Sequence, residues 1–311
     1  MPAPVVILNP VAGRGARGWP RYEAQLKRRG ARIVRTERAG DAARLARRAI
    51  EDGAQTLVAA GGDGTLGEVA GAIIQSGAYV ALGVLPIGTG NDFARALGVF
   101  GSPQVALDAI FDGGTTRVDI GRIECDGHIR VWINVAGCGF DALVARRINV
   151  WGGRKTLRFA RGLGAYLLAV ACELTTFRAF DLRVELDGQA LETRAVLLAV
   201  GNARSYGGGM RVCPDARLDD GLFDVCIIGD ASRSEFLRAF PGVFRGEHVY
   251  HPKVVMRRCR TIRVESELPV PVLADGEIVG RAPFVCTMQA SALTMCVPRE
   301  ERGADKCGQS V

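Results

Sequence analysis

Two glycine-rich turns, Gly61-Gly62-Asp63-Gly64-Thr65 and Gly88-Thr89-Gly90-Asn91-Asp92, constrain this chain more than any other feature. Each follows a short apolar run, Gln55–Ala60 in one case and Val80–Leu85 in the other. Each is followed by residues at helical spacing, Leu66–Gln75 and Phe93–Leu97. A run that reads as a strand, ends in glycine and resumes as a helix is a βα turn. The same alternation holds upstream. Pro4–Leu8 reads as a strand, Asn9–Gly15 as a turn, Arg21–Arg29 as a helix and Ala31–Thr36 as a strand. Ala42–Glu51 reads as a helix with Asp41 as its N-cap, and Pro103–Asp112 as one more helix. Strands alternating with helices predict an α/β fold with a parallel sheet covered on both faces.

From about Thr116 the pattern changes. Strand-like runs dominate: Arg117–Ile123, Arg130–Val135, Asp181–Asp187, Arg194–Gly201, Leu222–Ile228, Val254–Val264 and Phe284–Ala290. A helical stretch over Thr156–Leu174 interrupts them. This half predicts an antiparallel, β-rich, sandwich-like second domain. The expected division is residues 1–118 for the nucleotide-binding domain, 119–298 for the β-rich domain and 299–311 for a polar, frayed tail. A chain of 311 residues is long enough for two such units.

Glycines at a strand end let a ligand approach the backbone closely, and the amides of the following helix point at the same spot. Gly61–Thr65 can therefore be a plain tight turn or a phosphate cradle. The second such turn one strand later, with Asn9–Gly15 at a third strand end, favours the cradle, because ligands of open α/β sheets bind outside the carboxyl ends of the strands. Asp63 beside phosphates is repulsive unless a cation intervenes, so it points to a Mg²⁺-nucleotide. The P-loop pattern is absent, and no G-x-G-x-x-G follows the first strand, so neither a P-loop enzyme nor a dinucleotide-dependent dehydrogenase is supported.

Other classes are excluded by composition. Nine scattered cysteines without a CxxC and only three histidines argue against zinc and against a His-based triad. No apolar run approaches the ~20 residues of a membrane helix. The opening residues carry no basic segment or small-residue cleavage site, so a cytoplasmic location with reduced thiols is expected. The net charge of +7 is mild, and no nucleic-acid-binding motif accompanies it, so no nucleic-acid partner is expected. Lys is confined to Lys27, Lys155, Lys253 and Lys306, leaving Arg to carry the positive charge.

The run Val84–Arg95, with Gly61–Thr65, resembles the diacylglycerol kinase catalytic-domain family, which includes bacterial lipid kinases and the sphingosine and ceramide kinases. The Gly-Gly-Asp-Gly-Thr turn alone is shared with NAD kinases. The Gly-Thr-Gly-Asn-Asp-Phe-Ala-Arg run is more specific. Asn134–Ala142, Asn202–Asp224 and Asp275-Gly276-Glu277 continue the resemblance, which spans roughly Val5–Pro298. It implies an ATP-dependent lipid kinase with its active site between two domains, acting on diacylglycerol or a related lipid at a membrane surface. It places ATP against Asn9, Pro10, Gly13, Thr36, Gly61, Gly62, Asp63, Gly64, Thr65, Leu66, Gly67 and Thr89. Asn91 and Asp92 of the second turn are counted in the same site. It places a structural Mg²⁺ on the Asp220 carboxylate and the backbone carbonyls of Arg217 and Leu222.

Read alone, Asp275-Gly276-Glu277 is a hairpin turn. In the family it is the base-bearing motif. Asp275, Glu277 and Asp63 are thus the catalytic candidates, with Asp92 a further one, and either Asp275 or Glu277 can take the proton. His248 and His251 read as surface residues. The basic, aromatic segment Arg146–Tyr166 reads either as a helix on an anionic membrane or as a packed helix with its Arg facing water. A homodimer is left open. The rival readings are an NAD kinase-like enzyme and a non-catalytic nucleotide- or lipid-binding regulator on the same fold.

Overall fold

The computed structural model describes residues 2–13, 18–152, 163–175 and 177–299. The first third alternates as expected: β1 (Val5–Leu8), α1 (Pro20–Arg28), β2 (Arg32–Arg35), α2 (Asp41–Glu51), β3 (Thr56–Gly61), α3 (Asp63–Ser76), β4 (Ala81–Pro86), α4 (Asp92–Ala96) and α5 (Pro103–Phe111). The strands run parallel in the order β2-β1-β3-β4. Proline opens α1 and α5, where its missing N–H costs nothing, and Ser102 caps α5 by accepting from the Gln104 amide. Asp41 does not cap α2. Gly40 holds that position, and the Asp41 carboxylate instead accepts the Glu37 and Arg38 amides, closing the loop ahead of the helix.

The second part is antiparallel: β5 (Gly114–Cys125), β6 (His128–Trp132), β7 (Val135–Gly139), α6 (Phe140–Gly152), α7 (Leu163–Leu174), β8 (Phe180–Leu186), β9 (Gln189–Gly201), β10 (Phe223–Gly229), α8 (Arg233–Val243), a 3-10 turn (Glu247–Tyr250), β11 (Val254–Cys259), β12 (Thr261–Glu265), β13 (Pro271–Ala274), β14 (Glu277–Arg281) and β15 (Phe284–Val297). The run Val254–Val264, expected as one strand, breaks into β11 and β12. The expected helix over Thr156–Leu174 is described from Leu163 onward. Residues 153–162 of the basic segment and the tail from 300 lie outside the described residues.

Two long strands join the halves. β5 pairs antiparallel with β15 over nearly its whole length, and the expected boundary at 118/119 falls inside β5. β15 was expected to stop at Ala290. It continues to Val297, and its far end pairs parallel with β4 of the first sheet, Thr294 opposite Ala81 and Met295 opposite Leu82. The ladder shifts register between Gln289 and Leu293. There the buried Asp119 carboxylate accepts the Ser291 amide on one oxygen and the Gly221 amide on the other, both at 2.6 Å. Asn202, fully buried, donates to the carbonyls of Asp119 and Ile133. These bonds satisfy polar groups that would otherwise be orphaned in the core and fix the strand's bend between the two units.

Apolar side chains line both faces of the parallel sheet. One cluster packs β1, β3 and β4 against α2 and α3, and the other packs them against α1 and α5. A third cluster fills the interior of the β-rich part, and a fourth lies beneath α6, α7 and α8. Among the described residues no helix is long and apolar enough to cross a membrane.

Candidate active site

Three turns meet at the carboxyl ends of β1, β3 and β4. A Cβ built on Gly88 would overlap the Gly62 Cα and lie 2.9 Å from the Gly62 nitrogen. A Cβ on Gly13 would lie 2.6 Å from the Gly88 carbonyl carbon and 2.8 Å from Thr89 Oγ1. Glycine is required at these positions because backbone touches backbone. Gly62 itself has φ −103°, so it uses the close approach and not a left-handed conformation.

α3 starts already at Asp63, earlier than Leu66, and no side chain caps it. The first amides of a helix have no intrahelical acceptor, so this end is open to an anion. Gly64, Thr89, Pro10 and Gly13 are exposed around it. Thr65 is buried and its Oγ1 accepts from Asn9 Nδ2 (3.1 Å), so these two side chains brace the cradle from beneath. Thr36 is buried at the end of β2. Two expected contacts are reassigned. Leu66 packs in the core and its amide is taken by the Gly62 carbonyl. Asn91 sits in the left-handed region and both ends of its side-chain amide bond the Gly88 backbone, so it locks the second turn from inside.

The carboxylates organise the cleft. Asp63 accepts the amides of Asp92 (3.2 Å) and Phe93 (3.1 Å), tying the first turn to the start of α4. Asp92 is buried and reaches the second half, accepting from the Gly208 amide (2.8 Å) and Ser205 Oγ (3.3 Å). Asp275 enters from the opposite wall at the β13–β14 turn. Its carboxylate accepts the amides of Ile133 and Asn134, each at 2.8 Å, and of Val135 at 3.4 Å. A Cβ on Gly67 of α3 would lie 3.7 Å from Asp275 Oδ2, so the helix face is kept bare where the carboxylate passes it. Glu277, two residues on, is exposed and pairs with Arg130 at 3.2 Å.

The hairpin reading of Asp275-Gly276 is correct as far as it goes. Asp126-Gly127 and Asp187-Gly188 make the same turn with both φ positive, and their carboxylates also accept amides from a neighbouring strand. Asp275 differs in facing a cleft lined by other acids. Asp63, Asp92, Asp141 and Asp275 border one cavity of about 180 Å³. Burial raises the Asp275 carboxyl to about 7 against the pull of its amides, with the negative charge of Asp63 adding to the rise. Burial also raises Asp92, again with Asp63 contributing. Asp141, buried at the start of α6, is pushed up by burial to about 6 although Tyr206 Oη donates to it at 3.1 Å. Asp141, Tyr206 and Ser205 did not emerge as site residues from the sequence. Their only signal was that Asn134–Ala142 and Asn202–Asp224, the stretches that contain them, continue the family resemblance.

These raised carboxyls predict a pH dependence of stability. Between about pH 4 and 7 the native chain holds protons that the unfolded chain has released, so stability falls as pH rises through this window. Asp141→Asn removes one ionising group. Its melting temperature relative to wild type is expected to climb from pH 4.5 to 7.5, by an amount worth about 1–3 kcal/mol. Parallel melting curves across that range contradict the assignment.

Other candidates fall elsewhere. Asp220 accepts the Leu222 amide and forms an ion pair with Arg258. The carboxylate expected to hold a structural Mg²⁺ is thus paired with a guanidinium. Among the described residues no three metal-binding side chains are grouped to hold a metal by themselves. His248 is buried, not on the surface. Its Nε2 lies 3.0 Å from the Val212 carbonyl, and burial lowers its pKa.

Comparison with known proteins decides the family. Residues 3–123 match the model of the diacylglycerol kinase catalytic domain, and residues 134–297 match that of the YegS C-terminal NAD kinase beta sandwich-like domain. A diacylglycerol kinase of Mycobacterium tuberculosis (strain CDC 1551 / Oshkosh) is 35% identical over 300 residues, 94% of each chain. The chain belongs to the diacylglycerol kinase family. Another relative, the diacylglycerol kinase of Staphylococcus haemolyticus, is 34% identical over 95% of this chain and 88% of its own. A crystal structure of a diacylglycerol kinase from Bacillus anthracis str. Sterne superposes with TM-score 0.72 at 22% identity, covering 95% and 96% of the two chains, and shows the shared fold. This lipid-kinase family member is an enzyme with mixed α/β architecture, a parallel sheet followed by a β-sandwich-like part.

Proposed function

We propose that the enzyme transfers the γ-phosphoryl group of ATP to the free hydroxyl of diacylglycerol or a closely related lipid. One observation carries this reading most: a carboxylate from the second half, Asp275, borders the same cavity as Asp63, the first residue of the uncapped helix α3 beside its glycine turns. Phosphoryl transfer needs a held polyphosphate, charge neutralisation and an acceptor for the hydroxyl proton. The α3 amides and the bare backbone of Gly62, Gly64 and Gly88 suit the phosphates. The acidic edge formed by Asp63 and Asp92 suits Mg²⁺ arriving with the nucleotide, which would supply neutralisation of the phosphate oxygens. Asp275 takes the proton as the lipid oxygen bonds to phosphorus and the bond from the γ-phosphorus to the bridging oxygen of ADP breaks. A pKa near 7 suits that task.

A small apolar cavity lies beside the cleft. Tyr206 borders the acidic cleft on one side and an apolar cavity on the other, walled by Phe140, Met210, Phe236, Phe240 and Val243 beneath α8. The cavity is about 50 Å³, so we assign to it only a methylene or two of one acyl chain, with the hydroxyl end in the cleft. Ala239→Phe, which fills the cavity, is expected to raise KM for long-chain diacylglycerol about tenfold and to leave a short-chain analogue within about twofold, as for loss of one or two buried methylenes. Equal effects on both chain lengths would remove the cavity from the substrate path. Peripheral contact with a membrane on the cytoplasmic side belongs to the same reading, since Val150, Leu167 and Leu168 expose apolar surface on α6 and α7.

The direct test is an acceptor panel of labelled ATP and Mg²⁺ with diacylglycerol, ceramide, sphingosine, phosphatidylglycerol and NAD. Labelled phosphatidate from diacylglycerol supports the proposal. Label only in NADP, or none in any product, refutes it.

A further inference from the structure

We propose that the enzyme carries a second anion site, separate from the nucleotide cradle, in an arginine-lined groove of about 720 Å³ on the far side of the 205–209 segment. That segment has two faces. Tyr206 and Gly207 border the acidic cleft, whereas Ser205 and Gly209 border the groove. Arg95, Arg117, Arg204, Arg211 and Arg217 line the groove, against only Asp215 and Asp219. The arginines come from α4, from β5 and from the loop between β9 and β10, so their convergence follows from the tertiary fold and not from one basic stretch of sequence.

Several of these guanidinium groups are held in place. Arg117 bonds the Ser291 carbonyl, and Arg204 Nε bonds the Ala216 carbonyl at 3.1 Å. Both anchors are backbone oxygens, which fix a guanidinium without cancelling its charge. Arg217 Nε is 3.3 Å from Asp219, and Arg95 stacks on Phe100. Arg211 has no side-chain partner among the described residues. Like charges gathered in one concavity repel, and an anion bridging them relieves that repulsion. Fixed arginine forks match phosphate oxygens in pairs, so the ligand class is a phosphate monoester or diphosphate.

The site also bears on the cleft. Ser205 and Gly208 are the second-half partners of Asp92, and Arg204 and Arg211 flank the segment that carries them. An anion held by these two arginines clamps both ends of that segment and favours the arrangement in which Asp92 is bound. This coupling rests on the proposed kinase reading; the binding does not.

The test uses the full chain without ATP or lipid. Pyrophosphate is titrated while melting is followed, because a ligand that binds only the native state raises the melting temperature by mass action. The titration is run in the wild-type and Gly88→Ala backgrounds, so that binding at the nucleotide cradle is separated from binding in the groove. Arg204→Gln/Arg211→Gln is expected to weaken pyrophosphate binding at least tenfold while the shift produced by ATP stays at its wild-type size. A parallel arm measures flotation with phosphatidylcholine vesicles with and without phosphatidic acid. Loss confined to that arm assigns the groove to a lipid headgroup, and loss in the pyrophosphate arm assigns it to a free phosphate compound. If the double variant does not fold, Arg211→Gln alone carries the test, since that side chain has no partner to lose. Unchanged pyrophosphate affinity together with unchanged vesicle binding overturns the proposal. A chain that fails the acceptor panel yet shows the arginine-dependent shift separates the failure of the kinase reading from that of the groove.

Discussion

Asp275→Asn is expected to cut kcat by about 10²–10⁴-fold, the usual contribution of a positioned general base. The substitution keeps the shape of the side chain and an oxygen that can accept from the Ile133 or Asn134 amide, so the turn is held in part. ATP affinity should barely change, because the proposed phosphate site is built from the α3 amides and the glycine turns and not from the Asp275 turn. Wild-type kcat/KM should rise with pH through about 7 as the raised carboxyl loses its proton, and the variant should lose this limb. Glu277→Gln should cost less than about fivefold. Glu277 is 70% exposed and its partner Arg130 is 53% exposed, and an exposed pair of that kind contributes about 0–1 kcal/mol. A raised KM for ATP with unchanged kcat in Asp275→Asn would make Asp275 a nucleotide-positioning residue. A larger kcat loss in Glu277→Gln than in Asp275→Asn would transfer the role of base to Glu277.

Gly88→Ala is expected to weaken ATP about 10²-fold, the scale of a roughly 1 Å misplacement in a site that works by alignment. The added methyl would overlap the Gly62 Cα and crowd Asn91 Oδ1 at 2.8 Å. Neither neighbour is the flexible end of a long side chain. Gly62 is backbone, and the Asn91 side chain is locked to the Gly88 backbone by two hydrogen bonds. The two turns must therefore separate, carrying the α3 N-terminus away from the second turn. Gly71→Ala, two turns along α3 and away from the cradle, is the control. A Cβ there meets nothing within 4 Å, so it should fold normally and lose much less affinity. Melting with and without ATP reads both effects. An ATP-induced shift in Gly88→Ala as large as in wild type would remove the turn pair from the nucleotide site.

Much of this arrangement was legible in the sequence because it is local. Strand, glycine turn and helix are written consecutively at Thr56–Ser76 and Ala81–Ala96, and Asp275-Gly276 reads as the hairpin turn it is. The roles within those motifs were less legible, because they depend on partners far along the chain. Asn91 and Thr65 look like ligand contacts in a motif, yet one bonds the Gly88 backbone and the other Asn9. Asp92 reads as a phosphate-turn residue, but its partners lie at Ser205 and Gly208. The proposal of Asp275 over Glu277 as base rests on burial against the amides of Ile133 and Asn134, which no pattern around residue 275 announces. Asp141 and Tyr206 stayed hidden because one buried acid in an apolar stretch carries no local signature. His248 was misread for the opposite reason: a loop-like sequence concealed a buried position.

The return of β15 to the first sheet has a consequence for how the protein is made. β4 finds its neighbour at Thr294–Met295, so that edge of the parallel sheet stays unpaired until residues 294–295 have been synthesised. A nascent chain emerging from the ribosome therefore presents an open sheet edge throughout production of the second half, the kind of edge that recruits other chains. The glycine turns are translated early, but the sheet that carries them closes only with the last strand. A stop before residue 294 therefore leaves the β4 edge of the parallel sheet without its neighbour.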